Sequence, residues 1–276
     1  MLLFTASTRI PAAYAVAGSA WILFGNVAAS RMFGSNILAY SSFETAKGFF
    51  FVGATAAALH WLLRRRARND SRLKQAKIVD KKQSQIFLEQ AVEALLSAMN
   101  ARDPYTANHQ RRVAALSTAI ARRMGLAEDR IRGIRTGALL HDIGKIAIPV
   151  ELLAKTGKLS TSEFNLIREH VRSGLDIVNT LTFEPAVHAV VVQHHERLDG
   201  SGYPNGLFGT DIMLEARIVA VADVVEAITS HRPYRPGLGA QAAAAEIRSA
   251  RGTKLDAQAV DACLAIIDIG LDSVWN

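Results

Sequence analysis

The sequence predicts an all-α protein in two parts, an apolar helical hairpin followed by a larger helical domain. Three observations carry this. Two long uncharged apolar stretches lie within the first 63 residues. From about residue 84 onward, apolar residues recur at the i, i+3, i+4, i+7 spacing of an amphipathic helix. Strand signals are weak, because the valine-containing runs are long and flanked by helix formers.

The first apolar stretch, "IPAAYAVAGSAWILFGNVAAS", gives a transmembrane helix over about 10–29. It has the length of about 20 residues that spans a hydrocarbon core. A cleaved signal peptide ending near "NVAAS" is the competing reading. The second stretch, "GFFFVGATAAALHWLL" over 48–63, is shorter and Ala-rich. Its competing reading is a buried helix of a soluble domain. Lys47 and Arg64 flank it, and "RRRAR" at 64–68 follows at once, a strong cytoplasmic anchor. The expected topology is a hairpin with both ends in the cytoplasm of a bacterial inner membrane. The loop at 30–47 is too short for a sensory domain of ordinary size. His60 reads as a tolerated polar residue near the cytoplasmic end. Residues 1–63 are then the anchor, and 64–85 form a basic helical linker without a helix breaker.

Residues 86–276 make the main domain. "IFLEQAVEALLSAM" puts Phe87, Ala91, Leu95 and Met99 on one face. Asp103-Pro104 breaks that helix, and Thr106 is placed to cap the next, "ANHQRRVAALSTAIARRM", which stops at Gly125. "AEDRIRGIRTGALLHD" is another helix. "STSEFNLIREHVRSGLDIVNTL" opens on a capping signal, Ser160 or Thr161 with Glu163 behind. "EPAVHAVVVQHHE", "EARIVAVADVVEAITS", "AQAAAAEIRSA" and "AQAVDACLAIID" complete the series.

Net charge is +7, but its distribution argues against a nucleic-acid binder. Residues 1–79 hold 10 Lys+Arg and 2 Asp+Glu; the rest hold 22 and 23. The basic excess belongs to the N-terminal quarter. The single cysteine, Cys263, sits in an apolar helical pattern and reads as a core residue.

The histidines separate by their surroundings. His109 lies mid-helix. His141 and Asp142 end an apolar helix. His170 comes late in the "SEFNLIREH" helix. His194 and His195 close "AVVVQHHE". Asp223 is flanked on both sides by alanine and valine, where a carboxylate is costly to bury unless paired or metal-bound. Singly, each reads as an ordinary packing or surface residue. Together, five histidines and two acids on separate apolar helices form a ligand set for Fe, Mn, Zn or Ni. His188 reads as packing and His231 as a loop residue.

Taken in order, "DPYTANHQRRV", "ALLHDIGKIAIP", "LLAKTGKLS", "EH" at 169–170, "HHERLDGSGYPNGL" and "ARIVAVADVVEAITSHRPYR" resemble the HD-GYP domains. These are a branch of the HD-superfamily metal-dependent phosphohydrolases. The resemblance spans roughly 84–276 and none of the apolar hairpin. It implies an HD helical bundle with additional GYP-region helices, acting as a phosphodiesterase that cleaves cyclic di-GMP to pGpG or GMP. It implies two divalent ions, Fe(II) or Mn(II), which activate water for in-line attack. One ion would take His109, His141 and Asp223, the other His170, His194 and His195, with Asp142 bridging. A third ion in some members uses a glutamate where this chain has Tyr105, so two are expected. Lys145 would contact the scissile phosphate, and Arg232 and Arg235 would bind substrate phosphates. The chain departs from the family at Val225-Glu226, usually phenylalanine-aspartate, and at His231, usually acidic. Tyr203 is left open between substrate contact and loop support, with support favoured. Two other readings stay open. One is an HD phosphohydrolase acting on another nucleotide. The other is a non-catalytic membrane-tethered module that docks cyclic di-GMP or a diguanylate cyclase. On any of these readings the linker offers a contact for a homodimer.

Overall fold

The computed structural model describes residues 6–34, 36–102, 104–155, 157–231 and 236–275, and of residues 6–12, 81, 100–102 and 104–107 the backbone alone. The chain divides into two compact units, Met1–Gln83 and Ser84–Asn276. Among the described residues there is no strand, only two isolated bridges, Asp199 with Phe208 and Arg251 with Leu255.

The first unit holds α1 (Ala6–Phe33) and the start of α2 (Ile37–Arg102). The loop expected over 30–47 shrinks to a turn at Gly34, whose φ of +50° suits glycine. Asn36 restarts the helix, its Oδ1 accepting the Ala39 N–H at 3.1 Å. Aromatics join the two helices. Trp21 stacks on Phe50 with centroids 5.7 Å apart, and Tyr14 lies 5.9 Å from Phe51. Lys47, expected only to flank a membrane segment, donates to Asn26 Oδ1 at 2.7 Å and Glu44 Oε1 at 2.8 Å. Val16, Leu23, Phe24 and Phe49 face outward. By length and composition both helices are long and apolar enough to cross a membrane.

The expected span at 48–63, the linker and the first helix of the main domain are one continuous helix, α2. The reason is negative: residues 54–102 contain neither glycine nor proline, so nothing interrupts the backbone ladder.

In the second unit, α3 (Pro104–Arg123) starts two residues before the expected cap at Thr106, because proline's fixed φ fits a first helical turn. It ends before Gly125, φ +75°. α4 (Glu128–Leu140), a 3-10 turn (Ile143–Ala147) and α5 (Val150–Leu153) follow. α6 (Thr161–Arg168) opens on a full capping box, Ser160 and Glu163 exchanging side chain and backbone. The single helix expected there breaks at Glu169 into α6 and α7 (His170–Val178). Then come α8 (Pro185–Gln193), α9 (Leu214–Thr229), α10 (Ala240–Ser249), α11 (Ala257–Ile269) and α12 (Asp272–Trp275).

The core forms around α9, whose Ile218, Val219, Val221, Ala222 and Val225 are buried against α3, α4, α8, α10 and α11. Each fully buried isoleucine or valine contributes about 1.5–3 kcal/mol. Cys263 is buried in this core, and burial pushes its thiol up to about 12. Two glycines let helices close in. A Cβ on Gly137 would lie 2.7 Å from Val190 Cβ, so the α4 backbone packs directly on the Val190 side chain of α8. A Cβ on Gly144 would overlap the His170 carbonyl oxygen, so α7 rests directly on the 3-10 turn.

Candidate metal centre

The close packing has a consequence at the helix ends. His141 and Asp142 leave α4 at its C-terminus, and His194 leaves α8, each one turn past the Gly137–Val190 contact. α3 supplies His109, α7 begins with His170, and α9 carries Asp223 in its third turn. All seven expected ligands converge on one place.

Asp142 is the centre of it, 2 % exposed. Its Oδ1 lies 3.4 Å from His170 Nε2, and its Oδ2 lies 3.3 Å from His141 Nε2 and 3.8 Å from His109 Nε2. Asp223 Oδ1 is 3.3 Å from His109 Nε2. Two ligand-like groups result: Asp142 with His170, His194 and His195, and Asp142 with His109 and His141. Within each group the donor atoms lie within 4.8 Å of one another. Asp142 is common to both, and Asp223 joins the second through His109.

The imidazoles are held by their other nitrogens. His141 Nδ1 bonds to Ala138 O at 2.7 Å, His170 Nδ1 to Ile167 O at 2.7 Å, and His194 Nδ1 to Val190 O at 3.0 Å. These acceptors place the proton on Nδ1 and leave the Nε2 lone pair free. His109 Nδ1 bonds to the buried carboxylate of Glu226. His141 Nε2, Asp142 Oδ1, His170 Nε2 and His194 Nε2 are all buried without a hydrogen-bond partner among the described residues. Leaving four such atoms unpaired is costly, and divalent cations are what this donor set fits.

The sequence profile of the HD domain family matches residues 93–259. The chain belongs to the HD domain family. This bears out the resemblance drawn from its motifs. The HD domain is 41% identical over 177 residues to the cyclic di-GMP phosphodiesterase response regulator RpfG of Xanthomonas campestris pv. campestris, covering 63% of this chain and 47% of that protein. It is 37% identical over 171 residues to a 3'3'-cGAMP-specific phosphodiesterase of Vibrio cholerae, covering 62% and 37%. The chain thus spans less than half the length of these relatives. Among solved structures it is similar to an HDG"Y"P protein from Bdellovibrio bacteriovorus, with a TM-score of 0.50, 25% identity, and coverage of 59% of this chain and 52% of that one.

The electrostatics of the HD domain site sort its groups. Burial pushes the Asp142 carboxyl up, but Lys145, His141 and His170 outweigh it and hold it well below the usual range. Asp223 is likewise held low, by His109 above all, against its own burial. Burial lowers His170 and His194, and takes His195 down to about 3. Those three rings are neutral, as ligands must be. Burial also lowers His109, but Asp223 and Glu226 overcome this and raise it to about 9.

Lys145 donates to Asp142 Oδ2 at 2.5 Å. Arg232 and Arg235 lie outside the described residues, as does the side chain of Tyr105. His188 is half-buried, its ring 6.5 Å from Phe183, and His231 is exposed in a loop.

Two residues were not anticipated from the sequence. Glu226 also accepts Ser230 Oγ at 2.5 Å, and Arg112 donates to that hydroxyl at 3.1 Å. Its signal was its place three residues after Asp223, which puts both carboxylates on one side of α9. Glu196 is 2 % exposed and accepts the backbone N–H of Asn205 at 2.7 Å and of Leu207 at 3.0 Å. It fastens the GYP loop to the residue that follows the two histidines.

Proposed function

We propose that the chain is a membrane-anchored cyclic di-GMP phosphodiesterase. The carrying observation is the buried cluster of three imidazole nitrogens and one oxygen of a shared carboxylate that have no hydrogen-bond partner among the described residues. It occurs in an HD domain whose relatives are named for cyclic dinucleotide hydrolysis. His109, His141, Asp142 and Asp223 would hold one divalent ion, and Asp142, His170, His194 and His195 the other, with Fe(II) or Mn(II) as the ions to test. Such a pair supplies Lewis acidity that activates water and offsets phosphate charge.

The chain's own residues do the rest. The Nδ1 anchors fix each ring, so no reorganisation is needed when substrate arrives. Lys145 orients Asp142 and brings a cation to the edge of the cluster, where a scissile phosphate oxygen would meet it. Arg232 and Arg235 bind the remaining phosphate oxygens. Hydrolysis forms one phosphorus–oxygen bond from water and breaks the bond to a 3′ oxygen, which leaves with a proton. The product is pGpG, and a second round gives GMP.

Residues 1–63 form the anchor and 64–85 the linker, with the catalytic domain at 86–276 on the cytoplasmic side of a bacterial inner membrane. "RRRAR" supports that side. A second copy, through the linker, and a diguanylate cyclase are the protein partners to test by cross-linking.

The test uses the full chain in detergent, loaded with Mn(II) or Fe(II), with cyclic di-GMP and 3′3′-cGAMP as alternative substrates. The expected result is pGpG from cyclic di-GMP, with Asp142→Ala losing metal and turnover together. Loaded protein that binds cyclic di-GMP and releases no product would overturn the enzyme reading. Faster cleavage of 3′3′-cGAMP would overturn the substrate.

A further inference from the structure

His195 is held differently from the other four histidines of the cluster. Among the described residues its ring nitrogens have no hydrogen bond of the kind that fixes His109, His141, His170 and His194. Its ring is instead covered by Tyr203, centroids 4.5 Å apart and planes 30° from parallel. The Arg168 guanidinium lies 4.5 Å from the same Tyr203 centroid. His195 and Arg168 thus both pack on the Tyr203 ring. Phe164 closes the edge, its ring 6.3 Å from Tyr203 at 79°.

The backbone fixes the middle of this stack. Tyr203 N donates to His195 O at 3.3 Å. A Cβ on Gly202 would lie 2.5 Å from Arg197 N and 2.6 Å from His195 O, so only glycine lets the loop lie this close. Glu196 ties down Asn205 and Leu207 just beyond. Arg168 is the last residue of α6, two before His170. The stack therefore joins one member of the ligand group, His195, to the end of α6, two residues before another, His170.

We propose that Tyr203 and Arg168 are positioning residues that set the orientation of His195 by stacking, in place of the hydrogen bond the other rings have. The aromatic ring is the working part of Tyr203, and the phenolic oxygen is not. The guanidinium plane, which stacks on aromatic faces as a lysine ammonium does not, is the working part of Arg168. The inference rests on the metal ligands named under the proposed function, but not on the reaction.

Mn(II) stoichiometry and affinity, measured by calorimetry on the full chain in detergent, test it. Loss of an orienting group around a ligand costs about 10–100-fold in metal affinity. Tyr203→Leu and Arg168→Ala should each weaken one of two ions by about tenfold or more and leave the other within about twofold. Tyr203→Phe should keep both ions within about twofold of the parent, and Arg168→Lys should behave as Arg168→Ala. Because the residues act in one stack, Arg168→Ala should add little to Tyr203→Leu. Tyr203→Leu protein that holds both ions with parental affinity would overturn the proposal. So would Tyr203→Phe losing as much as Tyr203→Leu. A parent that binds two Mn(II) but hydrolyses no cyclic dinucleotide would sink the enzyme reading and leave this one standing.

Discussion

Gly137→Ala offers a quantitative test of how packing builds the site. The new Cβ would lie 2.7 Å from Val190 Cβ and 3.0 and 3.1 Å from its two methyls. Ordinary contact begins at 3.4 Å, so α4 and α8 must part by about 0.7 Å. Overpacking of this kind costs about 1–3 kcal/mol. At about 2 kcal/mol a domain of this size melts about 4–8 °C lower. The contact lies one turn before His141 on α4 and one turn before His194 on α8, whose rings are 4.9 Å apart. Ligand geometry tolerates about 0.5 Å, so Mn(II) affinity should fall by about tenfold or more. Far-UV circular dichroism melts and Mn(II) titration calorimetry measure the two effects. Val190→Ala should not rescue the variant, because Cβ itself is the closest atom. Val190→Gly should restore metal affinity while leaving stability low, since glycine weakens a helix. A Gly137→Ala protein that melts within a degree of the parent and binds Mn(II) equally well would refute the reasoning.

Four further outcomes are expected. Glu226→Gln keeps a neutral hydrogen bond to His109 but loses the charge, and should weaken Mn(II) by about tenfold; parental affinity would remove Glu226 from the site. His109, raised to about 9 in metal-free protein, carries a proton at neutral pH, so metal binding should release it. Calorimetry in buffers of different ionisation enthalpy should show the His109 share falling from about one proton at pH 7 to about half at pH 9, and a constant count would contradict it. The same shift stabilises metal-free protein: its folded value exceeds the ordinary 6.5, so the contribution is complete below pH 6.5 and is lost as pH rises through about 9. Glu196→Ala should speed amide exchange at Asn205 and Leu207, and unchanged protection there would mean that other contacts hold the loop.

Local signals in the sequence were the legible ones. Ser160 with Glu163, Gly125 at the end of α3, and an aspartate among valines in α9 each state their structure within a few residues. The cluster of candidate ligands was legible because burying charge is costly, so histidines and acids on apolar helices have few innocent explanations. Long-range facts were less so. Nothing near Tyr203 in sequence announces Arg168, and the stack exists only once α6 meets the loop after α8. The three segments that make up α2 read as helical, but their joining is harder to see. A change from apolar to charged composition reads as a boundary, yet the backbone ladder is indifferent to composition where no breaker intervenes. The split at Glu169 has no sequence signal that we can identify.

The shared carboxylate lies at the meeting point of side chains drawn from positions 109 to 223, on α3, the end of α4, α7, the end of α8, and α9. No sub-fragment of the domain carries the set. A bound cation therefore cross-links the whole unit, and its binding energy adds to global rather than local stability. Chelation should then act as a mild denaturant of the entire helical unit, lowering its melting temperature as one cooperative transition. For a cell, the supply of a cation that fits this site would set how much of the protein survives proteolysis.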